Sequence, residues 1–296
     1  KLSLIEKDIN DDLSIIVENP NINGNYPKVL VINFEEKNDK VEYKDISLEE
    51  FSKNKINKYI YRFGSANGGN LSPCMKLVRA KKDYEKNYKK NIKNFIKPID
   101  HLINLEINKK YSDIKNEILS NQSEIIEKFK VFLNNDERLL LTIKINDEYI
   151  GEDEIVISTL KERYYNGYYN KHNVKSKSIN KRCYICRDIK DEVFGFVNTY
   201  NFYTLDKKGF ITGGFNHKDA WKIYPVCKEC SLILEAGRNF IENNLMSYFA
   251  GFNFFVVPKS ILPIDEEEAL KEYKNLIEKL FEKNNISLGN DKRREI

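Results

Sequence analysis

The chain has 296 residues, of which 41% are hydrophobic and 12% aromatic, a composition typical of a folded protein and unlike that of a disordered chain. Its 49 Lys and Arg residues nearly balance 45 Asp and Glu residues, which excludes a uniformly basic nucleic-acid coat protein but leaves room for local basic surfaces. The sequence has neither the roughly 20 consecutive apolar residues of a membrane span nor the features of a signal peptide. We therefore expect a soluble, cytoplasmic protein with no membrane partner.

The N-terminal part of the sequence predicts a mixture of strands and helices. Lys28–Phe34 is an apolar, β-branched run, and Lys40–Ile46 follows it at the spacing of a β-hairpin. Ser47–Glu50 has the capping-box pattern that begins a short helix. Tyr59–Arg62 predicts a third strand, which leads directly into the glycine-rich turn segment Gly64–Asn70.

The middle of the chain predicts helices, then a strand and a loop. Apolar residues recur at three- and four-residue steps from Ile92 to Leu133, which indicates helices interrupted at Pro98. Leu139–Ile145 returns to strand character. The polar and aromatic stretch Tyr164–Arg182 predicts a mobile loop.

The remaining elements complete an α+β fold class, in which mixed strands and helices carry an inserted four-cysteine zinc module. A helix is expected from Ser231 to Asn244, a buried strand over Asn253–Val257, and an amphipathic helix over Asp265–Lys283. The predicted division is residues 1–85 (α/β region with a Gly-rich loop), 86–182 (helical region, strand and basic loop), 183–244 (zinc module and following helix) and 245–296 (strand and helix, packed on the same domain).

Four of the five cysteines form two Cys-x-x-Cys pairs, and these predict a metal site. The pairs are Cys183 with Cys186 and Cys227 with Cys230. Each pair can present two sulfurs to one ion, and two pairs supply the tetrahedral set of a structural zinc site. Because four thiolates leave no open position for water, such a site is not catalytic. Redox dithiols and an iron–sulfur cluster are the alternatives, and both fit the paired spacing less well.

The segment between the two pairs has 40 residues, more than the roughly 15 to 20 of a compact zinc finger. It is therefore expected to fold as a hairpin of its own, and Val193–Leu205 has the required alternation. The lone Cys74 is interpreted as a small buried hydrophobic residue. His217 lies in the insert, but four cysteines already complete a zinc site without it.

Two basic regions of the sequence are suited to binding nucleic acid. For the first of them, a solvated protein surface explains the charges equally well. The first, Lys76–Lys97, contains nine basic residues against Asp83 and Glu85. The second, Lys171–Arg182, contains five basic residues, no acidic ones, and follows four tyrosines suited to stacking on bases. We favour the second region as a phosphate-binding segment.

Two separated motifs resemble the large subunit of type I-B CRISPR interference complexes. The first is Tyr61–Pro73, which reads YRFGSANGGNLSP. The second lies between the cysteine pairs, where Asp206–Phe210 reads DKKGF and is followed by Gly-Gly-Phe215 and Trp221. This family is longer and has a C-terminal helical region, so the resemblance implies that the chain is the N-terminal portion of such a subunit.

The resemblance implies a non-enzymatic role in antiviral defence. Such subunits join a guide-RNA (Cascade) complex of backbone and small CRISPR subunits, contact the protospacer-adjacent motif on target double-stranded DNA, and help to open it. A helicase-nuclease is then recruited for cutting. The resulting candidates for nucleic-acid binding are Arg62, Asn67, Gly68, Lys171, Lys175, Lys177, Lys207, Lys208, Asn216, His217 and Lys218.

Two other functions compete with this interpretation. A zinc-braced, metal-dependent nuclease would need an Asn and a second His after the second cysteine pair to hold a catalytic ion. The chain has only three histidines, and none follows Cys230. A generic zinc-ribbon interaction module is the other alternative, and it leaves the glycine-rich motif unexplained. We therefore expect neither catalytic nor cofactor-binding residues apart from the zinc ligands.

Overall fold

The computed structural model describes residues 12–38, 40–65, 69–104, 109–135, 138–171, 173–199, 216–244, 246–249, 252–255, 272, 275, 276 and 279. The described residues form two compact units, an N-terminal unit that ends at residue 173 and a C-terminal unit that begins at 174. Both units mix helices and strands, as the predicted fold class requires. Over the same described residues, no helix combines the length and apolar character of a membrane span.

The N-terminal unit contains most of the regular structure. In chain order, its elements are α1 (Asp12–Ile16), β1 (Lys28–Lys37), β2 (Lys40–Glu50), a 3₁₀ turn (Lys53–Lys55), α2 (Ile56–Tyr59), β3 (Phe63–Ser65), β4 (Gly69–Asn70), β5 (Met75–Val78), α3 (Tyr84–Asn104), α4 (Lys109–Ser120), α5 (Gln122–Asn135), β6 (Arg138–Ile145), β7 (Glu148–Tyr149), a 3₁₀ turn (Ile150–Glu152), α6 (Glu154–Asn166) and β8 (Asn170–Lys171).

A mixed sheet with the order β2–β1–β6–β5 is the centre of this unit, and β7 pairs with β6. β1 is antiparallel to β2 and parallel to β6. The side chains of Val29–Ile32 and Leu139–Leu141 are fully buried, which is why these strands read as continuous apolar runs. β2 lies at an edge, and only Val41 and Ile46 of it are buried. The predicted hairpin of Lys28–Phe34 with Lys40–Ile46 and the predicted strand Leu139–Ile145 are thus confirmed.

Helices α3 to α5 bury one apolar face each. The side chains of Phe95, Ile99 and Leu102 are buried along α3, on both sides of Pro98. The predicted interruption at Pro98 is therefore wrong: α3 continues through it, because packing on both sides compensates for the hydrogen bond that proline cannot donate. On α4, a carboxylate oxygen of Glu117 accepts a hydrogen bond from the Tyr43 amide at 3.2 Å, which joins the helix to β2.

Two local predictions in the N-terminal unit are wrong. Ser47–Glu50 begins no helix but ends β2, since these residues pair with Lys28–Val31 across the hairpin. The Ser47 hydroxyl accepts a cross-strand hydrogen bond from Asn33 at 2.9 Å. Tyr59–Arg62 is not a strand, because Tyr59 ends α2 and Ile60 has a left-handed backbone with φ of 49°.

The C-terminal unit is built around a β-hairpin and a long helix. Its elements are β9 (Val174–Lys175), β10 (Lys177–Arg182), β11 (Ile189–Phe194), a 3₁₀ helix (His217–Lys222), α7 (Lys228–Asn244), β12 (Met246–Phe249) and β13 (Phe252–Phe255). β10 pairs with β11, and β12 pairs with β13.

Three predictions from the second half of the chain differ from the structure or lie outside it. The loop expected over Tyr164–Arg182 is wrong, because these residues end α6 and then form short strands. The insert does contain a hairpin strand, but that strand ends at Phe194, and residues 200–215 lie outside the described residues. Most of Asp265–Lys283 also lies outside them. The four-part domain division stays a prediction.

Candidate metal centre

The first cysteine pair lies in the turn of the β10–β11 hairpin. The Cys183 amide donates to the Asp188 carbonyl at 2.8 Å, and the Arg187 amide donates to the Cys183 carbonyl at 3.0 Å. Arg187 has a left-handed backbone with φ of 68°, which lets the chain reverse direction here. The hairpin turn thereby presents Cys183 and Cys186 on one side.

The second cysteine pair lies at the start of α7 and is held beside the same hairpin. Val226 and Phe194 exchange two backbone hydrogen bonds, of 2.8 and 3.2 Å, at the end of β11. The Tyr184 amide donates to the Pro225 carbonyl at 2.7 Å, which joins the two cysteine turns directly. Since α7 begins at Lys228, Cys230 lies in its first turn.

The four sulfur atoms lie close enough to share one ion. The Sγ atoms of Cys183, Cys186, Cys227 and Cys230 are all within 4.8 Å of one another. A tetrahedral site with Zn–S bonds of about 2.3 Å needs sulfurs about 3.8 Å apart, which this cluster accommodates. Cys183, Cys227 and Cys230 are buried and Cys186 is half-buried. The predicted cysteines are therefore together, and the cluster can hold a metal ion.

The surroundings of the cluster shift the pKa values of its thiols in opposite directions. Burial opposes ionisation of Cys183, but backbone amides that donate toward its sulfur lower its pKa to about 7. One of these amides, of Cys227, lies 3.4 Å from the sulfur. Burial raises the pKa of Cys227 and raises that of Cys230 to about 12. A divalent cation favours the thiolate form of all its ligands, so metal binding would displace protons from these buried thiols.

A buried serine joins the hairpin to the 3₁₀ helix, and sequence reasoning missed it. The Ser176 hydroxyl donates to the Lys218 carbonyl and accepts from the Trp221 amide, both at 3.0 Å. The Ser176 carbonyl accepts from the Gly195 amide at 2.9 Å. A Cβ on Gly195 would lie 2.4 Å from the Ser176 oxygen, so only glycine fits there. The glycine within the apolar run VFGF was the one available signal for this junction.

The predicted DNA-contacting tip, Asn216–Lys218, begins the 3₁₀ helix that this junction holds. The Asn216 side chain caps the helix: its oxygen accepts from the Lys218 amide at 3.2 Å, and its nitrogen donates to Asp219 at 2.5 Å. Asn216 and Lys218 are exposed, and His217 is half-buried. Two polar groups of the tip therefore face solvent at the end of an anchored element.

The lysines of the predicted phosphate-binding segment occupy different environments. Lys171 is exposed in β8 of the N-terminal unit, whereas Lys175 and Lys177 are exposed in the C-terminal unit. Lys177 forms a cross-strand ion pair with Glu192 at 2.6 Å. Exposed pairs of this kind contribute little to stability and exchange partners easily. Among the described residues, exposed Lys175 has no ion-pair partner, and Lys181 has none either but lies over the ring of Trp221.

Arg62 is placed in the interior of the N-terminal unit. Its side chain is 11% exposed, lies 3.4 Å from Glu18, donates to the Ile16 carbonyl and covers the ring of Tyr164. This arrangement supports packing more directly than DNA contact, and the nucleic-acid role of Arg62 stays a prediction. Asn67, Gly68, Lys207 and Lys208 lie outside the described residues.

The tyrosines that precede the basic segment pack among themselves. Tyr164 and Tyr168 are buried, and their hydroxyls lie 2.5 Å apart. The Tyr165 hydroxyl donates to Asp12 at 2.8 Å. These three rings are therefore part of the N-terminal core, not a surface for stacking on bases.

Cys74 is fully buried, as predicted, and burial raises its pKa.

Two family profiles match the chain in consecutive segments. The profile of the CRISPR-associated protein TM1802 (cas_TM1802) N-terminal domain matches residues 2–162, and that of the central domain of the same protein matches residues 180–296. The boundary between the two compact units falls between the matched segments. No curated protein and no solved structure matches the chain.

Proposed function

The chain belongs to the CRISPR-associated protein TM1802 family, and on that basis we propose that it is the N-terminal portion of the large subunit of a type I-B interference complex. In this role it recognises the protospacer-adjacent motif on target duplex DNA and helps to open it. The observation that carries the proposal is the match of both family domains, in order, over nearly the whole chain. Its partners would be a guide RNA with the backbone and small CRISPR subunits, and a helicase-nuclease recruited afterwards.

Zinc is the metal we propose for the four-cysteine cluster. Four thiolates in two Cys-x-x-Cys pairs are a donor set that suits zinc in a closed, structural shell. Held by Cys183, Cys186, Cys227 and Cys230, the ion would stabilise the β10–β11 hairpin against α7. The hairpin in turn supports the 3₁₀ helix through Ser176. The metal therefore contributes to DNA recognition by positioning residues rather than by chemistry.

The proposed DNA contacts are of two kinds, those that recognise bases and those that bind phosphates. Exposed amide groups such as that of Asn216 can reach base edges, and we assign the same role to Asn67 in the glycine-rich segment. Lysines such as Lys175 supply attraction to phosphates that does not depend on sequence. Guide pairing reads the target itself, while these protein contacts read only the short duplex motif.

We predict that Asn216→Ala and Asn67→Ala each cost the assembled complex about 1–3 kcal/mol of binding free energy on a motif-bearing duplex, with little change on a scrambled one. The measurement is binding of the guide-RNA complex to both duplexes over a range of salt. Discrimination that survives both substitutions would contradict the assignment of reading residues.

The matched control for Asn216 is Asn216→Ser. Serine keeps the helix cap, which is a structural role, but removes the amide nitrogen. If Asn216 reads bases, Asn216→Ser and Asn216→Ala lose discrimination alike. If serine restores discrimination, Asn216 acts only as a cap, and base reading by this residue is wrong.

We also predict that the purified chain cleaves neither single-stranded nor duplex DNA in the presence of Mg²⁺ or Mn²⁺. The four thiolates would close the shell of the metal, and the chain has only three histidines for a second site. The measurement is gel analysis of labelled DNA over hours at excess protein. A cleavage activity that persists through repurification and disappears in His217→Ala would overturn the prediction.

A further inference from the structure

Helix α3 carries a line of lysines along its solvent face. Lys86, Lys90, Lys93 and Lys97 follow one another at steps of four, three and four residues, so they lie on one side of the helix. All four are exposed. The opposite side of α3 is apolar and buried. We call these four residues the lysine row.

The lysine row is not neutralised within the chain. The two carboxylates of α3 are engaged elsewhere: Glu85 pairs with Lys89 at 2.6 Å and Asp100 with Lys115 at 2.6 Å. Lys130 of the neighbouring helix pairs with Glu127 at 2.5 Å. Among the residues that the structure describes, the four lysines of the row have no ion-pair partner.

This arrangement has a cost in the isolated chain. Like charges three or four residues apart on a helix repel one another, and the row contains three such consecutive pairs. In the described part of the N-terminal unit, no carboxylate pairs with the row to offset that repulsion. An anionic partner would do so, and the geometry of the row limits which partner fits.

The row is straight, rigid and extended. At a rise of about 1.5 Å per residue, its four charges span about 16 Å. Duplex DNA carries one phosphate charge per about 1.7 Å of axis, counting both strands, so a duplex segment of this length carries about ten charges. Duplex DNA is also straight over such a distance, since its persistence length is about 500 Å. Neither the helix nor the duplex has to become more ordered on binding, whereas a flexible single strand would have to.

We infer that the lysine row binds the phosphate backbone of duplex nucleic acid without regard to sequence. The biological duplex rests on the proposed function, in which the chain must hold target DNA while its motif is read. The row would bind that duplex at positions far along the sequence from the proposed tip Asn216–Lys218. It lies in the N-terminal unit, and the proposed tip lies in the C-terminal unit.

The test compares two quadruple variants of the full chain. One replaces the row, as Lys86→Gln, Lys90→Gln, Lys93→Gln and Lys97→Gln. The control replaces four other exposed lysines that have no ion-pair partner among the described residues: Lys40→Gln, Lys53→Gln, Lys109→Gln and Lys128→Gln. Both variants remove four charges from a formal net charge of +4, so they are matched in total charge. Circular dichroism and thermal melting establish that both are folded.

The probe is a labelled 30-base-pair DNA of arbitrary sequence, with a single-stranded RNA of equal length as the second arm. Affinity is measured by anisotropy from 50 to 200 mM salt. If all four lysines contact phosphates, the row variant has a salt slope smaller by about 3 to 4, and its affinity falls about 100-fold less over this range. The control variant should match the wild-type chain within about one unit of slope.

Three results would overturn the inference. The first is an equal loss in both variants, which would reflect total charge alone. The second is an unchanged slope in the row variant, and the third is a loss confined to the single-stranded RNA. Because this test uses no motif, the inference can fail while motif discrimination by the assembled complex stands. Discrimination can likewise fail while the row still binds duplex.

Discussion

Cys227→Ser is expected to abolish metal binding and to unfold the C-terminal unit. The serine hydroxyl is a poor replacement for a thiolate, and the three sulfurs left behind no longer complete a tetrahedral shell. Cys227 is also 1% exposed, and it lies between Val226, which pairs with Phe194 at the end of β11, and the start of α7. Because metal binding to such a site is coupled to folding, the loss of one ligand removes a large share of the folding free energy. In zinc-finger peptides that share is about 10–16 kcal/mol.

The measurements are elemental analysis and limited proteolysis of protein purified under reducing conditions without chelator. We expect about one zinc per wild-type chain, and none in Cys227→Ser, with cleavage sites appearing after residue 174. Cys74→Ser is the matched control, since Cys74 is buried in the N-terminal unit and outside the cluster. That variant should keep its zinc. A wild-type chain without metal, or a Cys227→Ser chain that retains it, would contradict the proposed centre.

Gly195→Ala is expected to destabilise the C-terminal unit by about 1–3 kcal/mol, even though it adds one methyl group. The new Cβ would lie 2.4 Å from the Ser176 oxygen and 2.5 Å from the Trp221 amide nitrogen. Since the second atom belongs to the backbone, the 3₁₀ helix itself has to move. That movement breaks the hydrogen bonds through which Ser176 holds the tip beside the hairpin.

Denaturant unfolding of the metal-loaded chain measures this effect, and Gly237→Ala is its control. Gly237 lies in α7, and a Cβ there would meet no atom within 4 Å. Alanine at that helix position should therefore stabilise by about 0.5–1 kcal/mol. The two glycines thus predict effects of opposite sign. Equal effects from both substitutions would show that the crowding at Gly195 is relieved at no cost.

Both predictions concern the support of the tip rather than its contacts with DNA. A variant that loses zinc or disturbs Ser176 should also lose motif discrimination, but through displacement of Asn216 and Lys218. Asn216→Ser instead leaves both the metal and the stability of the C-terminal unit unchanged, because serine keeps the helix cap. Metal content therefore separates it from Cys227→Ser, and unfolding separates it from Gly195→Ala. The comparison shows whether the C-terminal unit serves the proposed function by positioning the tip, by contacting DNA bases through Asn216, or by both.

The sequence by itself determined the features whose physical basis is local. Two central strands were predicted because burial on both faces demands the continuous apolar runs of Lys28–Phe34 and Leu139–Ile145. The cysteine cluster was predicted because a Cys-x-x-Cys turn brings two sulfurs together whatever surrounds it. Cys74 was correctly predicted to be buried.

Only the tertiary structure decided features that depend on partners distant in sequence. Ser47 has a capping pattern, yet pairing with Val31 extends a strand through it, because a full row of cross-strand hydrogen bonds outweighs one cap. Tyr164 and Arg62 looked available to nucleic acid, but they pack on each other in the N-terminal unit. Apart from Gly195, nothing in the sequence indicated the junction at Ser176, since its two partners in the 3₁₀ helix lie 42 and 45 residues away. Chain spacing reports local geometry, whereas long-range burial and hydrogen bonding appear only once the chain has folded.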